Sequence, residues 1–148
     1  MVTEEEKQLA IERVTEDWRK LESMSLELRN DREVVLEAVR QNGWALQYAD
    51  ERFKEDREFI LAAVIQDGFA LYYASAALKE DRGFILEAVS QKGLALRFAS
   101  ATLKNDRQIV MAAVSQEGRA LEFAFAEVKK DREVVMAAVS QDGGALYY

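Results

Sequence analysis

Apolar residues return along this chain in one pattern. Val34, Val35, Ala38 and Val39 fall at i, i+1, i+4 and i+5 with Leu36 between them, a wide apolar helical face. A second apolar set follows at Ala45, Leu46, Tyr48, Ala49 and Phe53. Polar residues and one glycine, "RQNG", separate the two. The pattern predicts two short helices. Asp31 is a good N-cap for the first. Gly43 is expected to stop it as a positive-φ C′ residue. Lys54, near the end of the second, suits the negative pole of a helix dipole. No stretch alternates with period two, so a strand reading fails.

The pattern then repeats. "DREVVLEAVRQNGWALQYAD" begins at Asp31 and "DREFILAAVIQDGFALYYAS" at Asp56, and further Asp-Arg pairs stand at Asp81, Asp106 and Asp131. The period is 25 residues without insertion. Eight positions are identical in all five copies. In the first copy they are Asp31, Arg32, Ala38, Val39, Gln41, Gly43, Ala45 and Leu46. Two short helices cannot bury their faces alone, whereas stacked copies can. The expected architecture is therefore all-α, an α-solenoid of short two-helix repeats, with the recurrent alanines letting neighbouring helices approach closely. The repeats are assigned to residues 31–55, 56–80, 81–105, 106–130 and a truncated 131–148.

Residues 1–30 fit the same frame loosely. Leu9, Ala10, Ile11 and Val14 match the first helix, and Leu21, Met24 and Leu28 the second. The Asp-Arg pair and the glycine are missing, and Trp18 stands at the glycine position. This reads as a degenerate N-terminal capping repeat with a capping box at Thr3 and Glu6. Its first helix is expected to run on past Trp18. The last copy stops at Tyr148 in mid helix without a polar cap. That is expected of a segment cut from a longer protein, or of an end that pairs with another molecule through residues 131–148.

Composition narrows the function. Proline is absent, which favours helix. Histidine and cysteine are also absent. This removes the commonest general base and metal ligand, the thiolate nucleophile and any disulfide. The carboxylates are scattered over cap and surface positions, and "QNG", "QDG" and "QKG" lack phosphate-loop spacing. No catalytic, cofactor or metal site is expected. The net charge of −7 argues against nucleic acid as partner. The N-terminus lacks an apolar leader, and no apolar run is long enough to cross a bilayer. An intracellular, cytoplasmic protein is expected.

The pattern D-R-E-x-V-L-x-A-V-x-Q-x-G-x-A-L-x-Y-A-S, well matched over residues 31–148, resembles a family of short tandem repeats known only as a domain of unknown function. The resemblance implies an array of repeats, often within a larger protein, and brings no catalytic residues. Gly83 and Phe125 depart from the pattern, replacing a glutamate and a serine.

Residues identical in every copy are first candidates for stacking. Asp31, Asp56, Asp81 and Asp106 should cap helices. Arg32, Arg57, Arg82 and Arg107 lie at helix starts, where the dipole disfavours a cation, so each should have a carboxylate or carbonyl partner in an adjacent repeat. Gly43, Gly68, Gly93 and Gly118 should break the helices. Gln41, Gln66, Gln91 and Gln116 fall on the inward face and should be half-buried, bonded to backbone near the glycine turn. A partner is sought where copies differ. The residue after the glycine and the one three further on read Trp44 and Gln47, Phe69 and Tyr72, Leu94 and Arg97. These six form the candidate partner-binding strip. The expected function is a non-catalytic scaffold binding a protein or peptide. The alternative is a spacer or self-associating segment with no partner groove, which predicts a buried Trp44 and Tyr72.

Overall fold

An aspartate opens the first helix of every complete copy as the Asp-Arg pair requires. In the computed structural model, which describes residues 1–148, Asp31 Oδ1 accepts from the Glu33 and Val34 amides, and Asp106 Oδ1 from those of Gln108 and Ile109. Ten-residue α-helices follow at Arg32–Gln41, Arg57–Gln66, Arg82–Gln91, Arg107–Gln116 and Arg132–Gln141. The chain is all-α, without a strand. It condenses into two compact units, Met1–Tyr73 and Ala74–Tyr148.

The second helix differs from expectation. It is two shorter pieces: a 3₁₀ segment such as Gly43–Tyr48, then a short closing turn such as Glu51–Glu55. The break falls at Ala49, whose backbone is extended (φ −78°, ψ 160°), after which Asp50 caps the closing turn by accepting from the Arg52 amide. An apolar face continuous in sequence is here folded over a corner, so both pieces bury it: Ala45, Leu46, Ala49 and Phe53 are all buried.

The glycines are also used differently. None has a positive φ. The first helix is stopped one residue earlier, by an extended residue: Asn42 at φ −164° in the first copy and Asp67 at φ −144° in the second. Asn42 and Asp67 then cap the 3₁₀ segment, accepting from the Trp44 and Phe69 amides at 2.8 and 2.9 Å. The glycine is needed for a neighbour. A Cβ on Gly43 would lie 2.9 Å from the Ala70 amide nitrogen and 2.9 Å from Asp67 Oδ2 of the next repeat. On Gly93 and Gly118 it would strike the carbonyl oxygens of Ala113 and Ala138. At Gly143, in the last copy, nothing lies within 4 Å.

Alanine does the same on the first helix. Ala38 and Ala63 in the first unit, and Ala88, Ala113 and Ala138 in the second, are fully buried between helices. Main-chain bonds join the closing turns of successive repeats: the Asp50 amide donates to the Arg29 carbonyl, Ser100 to Lys79 and Phe125 to Lys104. Burial depends on the following repeat. Leu46 and Leu96 are sealed, whereas Leu146 at the same position is 69% exposed.

The first thirty residues keep the frame. Thr3 and Glu6 form the expected capping box. The first helix, however, ends at Glu16 instead of continuing past Trp18. Asp17 (φ −153°) takes the part of Asn42, capping a 3₁₀ segment at Trp18–Ser23 through the Arg19 amide. The polar residue before the glycine position thus ends the helix without a glycine. Trp18 lies against Tyr48 of the next repeat, ring centroids 6.3 Å apart. Two residues depart from the buried frame. Arg13, at the place of the sealed alanines, is exposed, and so is Leu9.

The close approach gives a paired prediction. Gly93→Ala and Gly118→Ala should each lower unfolding free energy by about 1–3 kcal/mol through overpacking. Gly143→Ala should change it by less than about 0.5 kcal/mol. Urea denaturation of the three variants checks this; an equal loss in all three would contradict it.

Candidate functional site

The arginines come first, because each is expected to find a carboxylate or carbonyl partner in an adjacent repeat. Arg32, Arg57, Arg82 and Arg107 stand at the first positions of exposed helix starts. Where successive repeats lie in one unit, the guanidinium reaches the capping aspartate of the next repeat. Arg32 meets Asp56 at 2.8 Å, Arg82 meets Asp106 at 2.8 Å and Arg107 meets Asp131 at 2.7 Å. Arg82 also donates to Gln108 Oε1, and Arg107 pairs with Glu133. Each of these aspartates therefore has two tasks, capping its own helix and receiving the previous repeat. Asp81 caps its helix through the Phe84 amide at 2.7 Å. Partly exposed ion pairs are individually weak, so this ladder links successive repeats without by itself adding much stability.

The ladder shifts titration. Arg82 beside Asp106 holds its carboxyl below the ordinary value, against a smaller opposing effect of burial and with help from the Ile109 amide. Arg107 does the same for Asp131, with the Val134 amide adding to it. At Asp56 burial pushes up, but the Phe59 amide and Arg32 outweigh it and the carboxyl again titrates low. A second set of carboxylates joins repeats near the glycine. Asp67 Oδ2 accepts from the Gly43 amide at 2.6 Å, and Glu117 Oε2 from the Leu94 amide at 2.7 Å.

The glutamines do not behave as expected. Gln41, Gln66, Gln91 and Gln116, with Gln141, close the ten-residue helices and are all exposed instead of half-buried. The first helix ends at this residue, and the chain turns inward only at the next. Gly43, Gly93 and Gly118 are buried and Gly68 half-buried, each opening a 3₁₀ segment.

The strip of variable positions is at the surface. A 3₁₀ helix has three residues per turn, so residues at i and i+3 stand over one another. Phe69 and Tyr72 do so, with centroids 5.3 Å apart and planes at 26°. Across the glycine contact Trp44 stacks on Phe69 at 4.6 Å and 11°. Tyr73, which the strip reading left out, completes the cluster edge-on to Trp44, Phe69 and Tyr72 at 6.4, 6.2 and 5.0 Å. Its recurrence as an aromatic in every copy was the available signal. Trp44 is 45% exposed and Tyr72 51%; Phe69 between them is half-buried and Gln47 exposed. Burial raises the Tyr73 hydroxyl's pKa. The four rings lie within the unit Met1–Tyr73.

The same positions in the second unit hold one aromatic, the exposed Tyr147, and form no ring cluster. Leu94 is 37% exposed, Arg97 lies 5.8 Å from the centroids of both Phe98 and Phe123, and Arg119 pairs with Glu122 at 3.5 Å. Leu94, Gln116, Arg119 and Gln141 line one open groove of about 540 Å³ together with Glu117, Gly118 and Asp142. The strip and the glutamine row therefore share a face in this unit. No helix is long and apolar enough to cross a membrane.

The model of one family matches repeatedly, at residues 7–54, 31–79, 81–129 and 118–148, and its description is a domain of unknown function, DUF4116. The chain belongs to this family. Neither the curated proteins nor the solved structures offered a significant match.

The ladder gives a pH prediction. A carboxyl depressed in the folded state adds stability above its unfolded pKa of about 3.9, and that stability is lost as pH falls through the folded value. Unfolding free energy should therefore fall below about pH 4. In Asp106→Asn the fall should be shallower, from a lower starting stability, as measured by urea titrations at stepped pH.

Proposed function

We propose that this chain is a non-catalytic helical-repeat module that binds a partner protein through a basic peptide segment, docked on the rings of Trp44, Phe69, Tyr72 and Tyr73. One observation carries the reading: Trp44 and Tyr72 are about half exposed within a contiguous stacked cluster. In a spacer these rings would be sealed between repeats, as Phe59 and Phe84 are. Aromatic anchors held rigid by their neighbours, with polar residues around them, are the usual composition of binding hot spots.

Charge selects the occupant. Residues 1–73 carry 17 acidic and 10 basic side chains, whereas residues 74–148 carry ten of each. The whole net charge of −7 therefore belongs to the unit that holds the rings. Such a field favours a cationic ligand and speeds its encounter. A lysine or arginine over the indole of Trp44 would add a cation–π contact. The proposed setting is an intracellular scaffold within a larger assembly.

Trp44→Ala and Tyr72→Ala should each weaken a basic peptide partner by about tenfold or more, a hot-spot loss. Since both rings are partly exposed, the fold should survive. Isothermal titration with peptides of matched length, basic against acidic, checks both the site and the sign. Equal affinity of wild type and both variants would overturn the reading.

A further inference from the structure

Of the eight positions identical in every copy, seven have a structural role described above. The aspartate caps, the arginine pairs with the next aspartate, the glycine and first alanine admit the neighbour, and valine, the second alanine and leucine fill the interior core. The eighth is glutamine, exposed in all five copies. Its neighbours have diverged. Arg40 and Asn42 flank the first, Ile65 and Asp67 the second, Ser90 and Lys92 the third. The identity is therefore not residue left over from duplication, and helix propensity would accept many others at a surface site.

We propose that in the unit Met1–Tyr73 the glutamines Gln41 and Gln66 read the main chain of the partner peptide, held extended along the ring cluster of that unit. A primary amide offers one carbonyl acceptor and two N–H donors, matching the C=O and N–H of a peptide group. A reader that is the same in each repeat suits a ligand feature that itself recurs. Main-chain amides recur along a peptide, whereas side chains do not. The nucleic-acid backbone also recurs, but it demands clustered positive charge. In the second unit Gln116 lines one groove with Leu94 and Arg119. By the 25-residue frame Gln66 stands in the same relation to Trp44 and Phe69. Those two rings lie face to face at 11° in the half of the chain that carries the net negative charge. That field favours a cationic peptide over a neutral glycan. The rings and the acidic field would select side chains, and the glutamines would hold the backbone.

This inference rests on the proposed binding role, and one experiment separates the two. A displayed library of short random peptides is selected on the full chain. The tightest peptide is synthesised with a fluorescent label, as is a copy N-methylated along its main chain. Anisotropy then measures both on wild type, Trp44→Ala and the double variant Gln41→Ala/Gln66→Ala, with urea midpoints confirming that the variants fold. The expected result is a loss of about tenfold or more in the double variant, since each bond is worth roughly 1 kcal/mol, and a similar loss on N-methylation. A peptide that requires Trp44 yet binds the double variant unchanged overturns the glutamine role and leaves the binding role standing. A selection that yields no Trp44-dependent peptide overturns both. Glutamine-dependent binding of an oligosaccharide panel, without any enriched peptide, overturns the peptide assignment.

Discussion

The fold depends on how closely one repeat can approach the next. At the glycine the approach leaves no room for a Cβ, and the alanine of the first helix is fully buried. Other features are consequences of that distance. With the backbones this near, the carboxylates of Asp67 and Glu117 reach the amides of the preceding repeat. The arginines reach the next capping aspartate, and Trp44 stacks on Phe69 across the seam. A chain of such contacts is local by construction, because every repeat meets mainly its sequence neighbours.

The same constraint separates structural from functional identity. Asp-Arg was expected to cap helices and join neighbouring repeats, and the arginines do reach the next capping aspartate. Glutamine looked like a core amide, but it faces solvent in every copy. Position in the frame does not decide the role; what lies within reach does. The aromatic strip differs again. It varies from copy to copy, and only the first unit makes it a cluster of rings, in the half of the chain that carries the net negative charge.

The period of 25 residues, the all-α class, the helix starts and the repeat-to-repeat arginine partners were legible in the sequence. They follow from local rules: apolar spacing, side-chain capping and the dipole at a helix start. Thr3 and Glu6 show the same rule at work in the divergent first copy. The tertiary structure decided the rest. Glycine suggests a left-handed turn when only chain conformation is considered, yet here it answers a neighbour's carbonyl, which lies about one repeat away along the chain. Tyr48 to Phe53 reads as one helical face, but packing on both sides of Ala49 folds it over a corner. The exposure of Trp44 and Gln41 is likewise settled by which side the next repeat covers. Periodicity says which residues share a face; only the stacked neighbour says whether that face is closed.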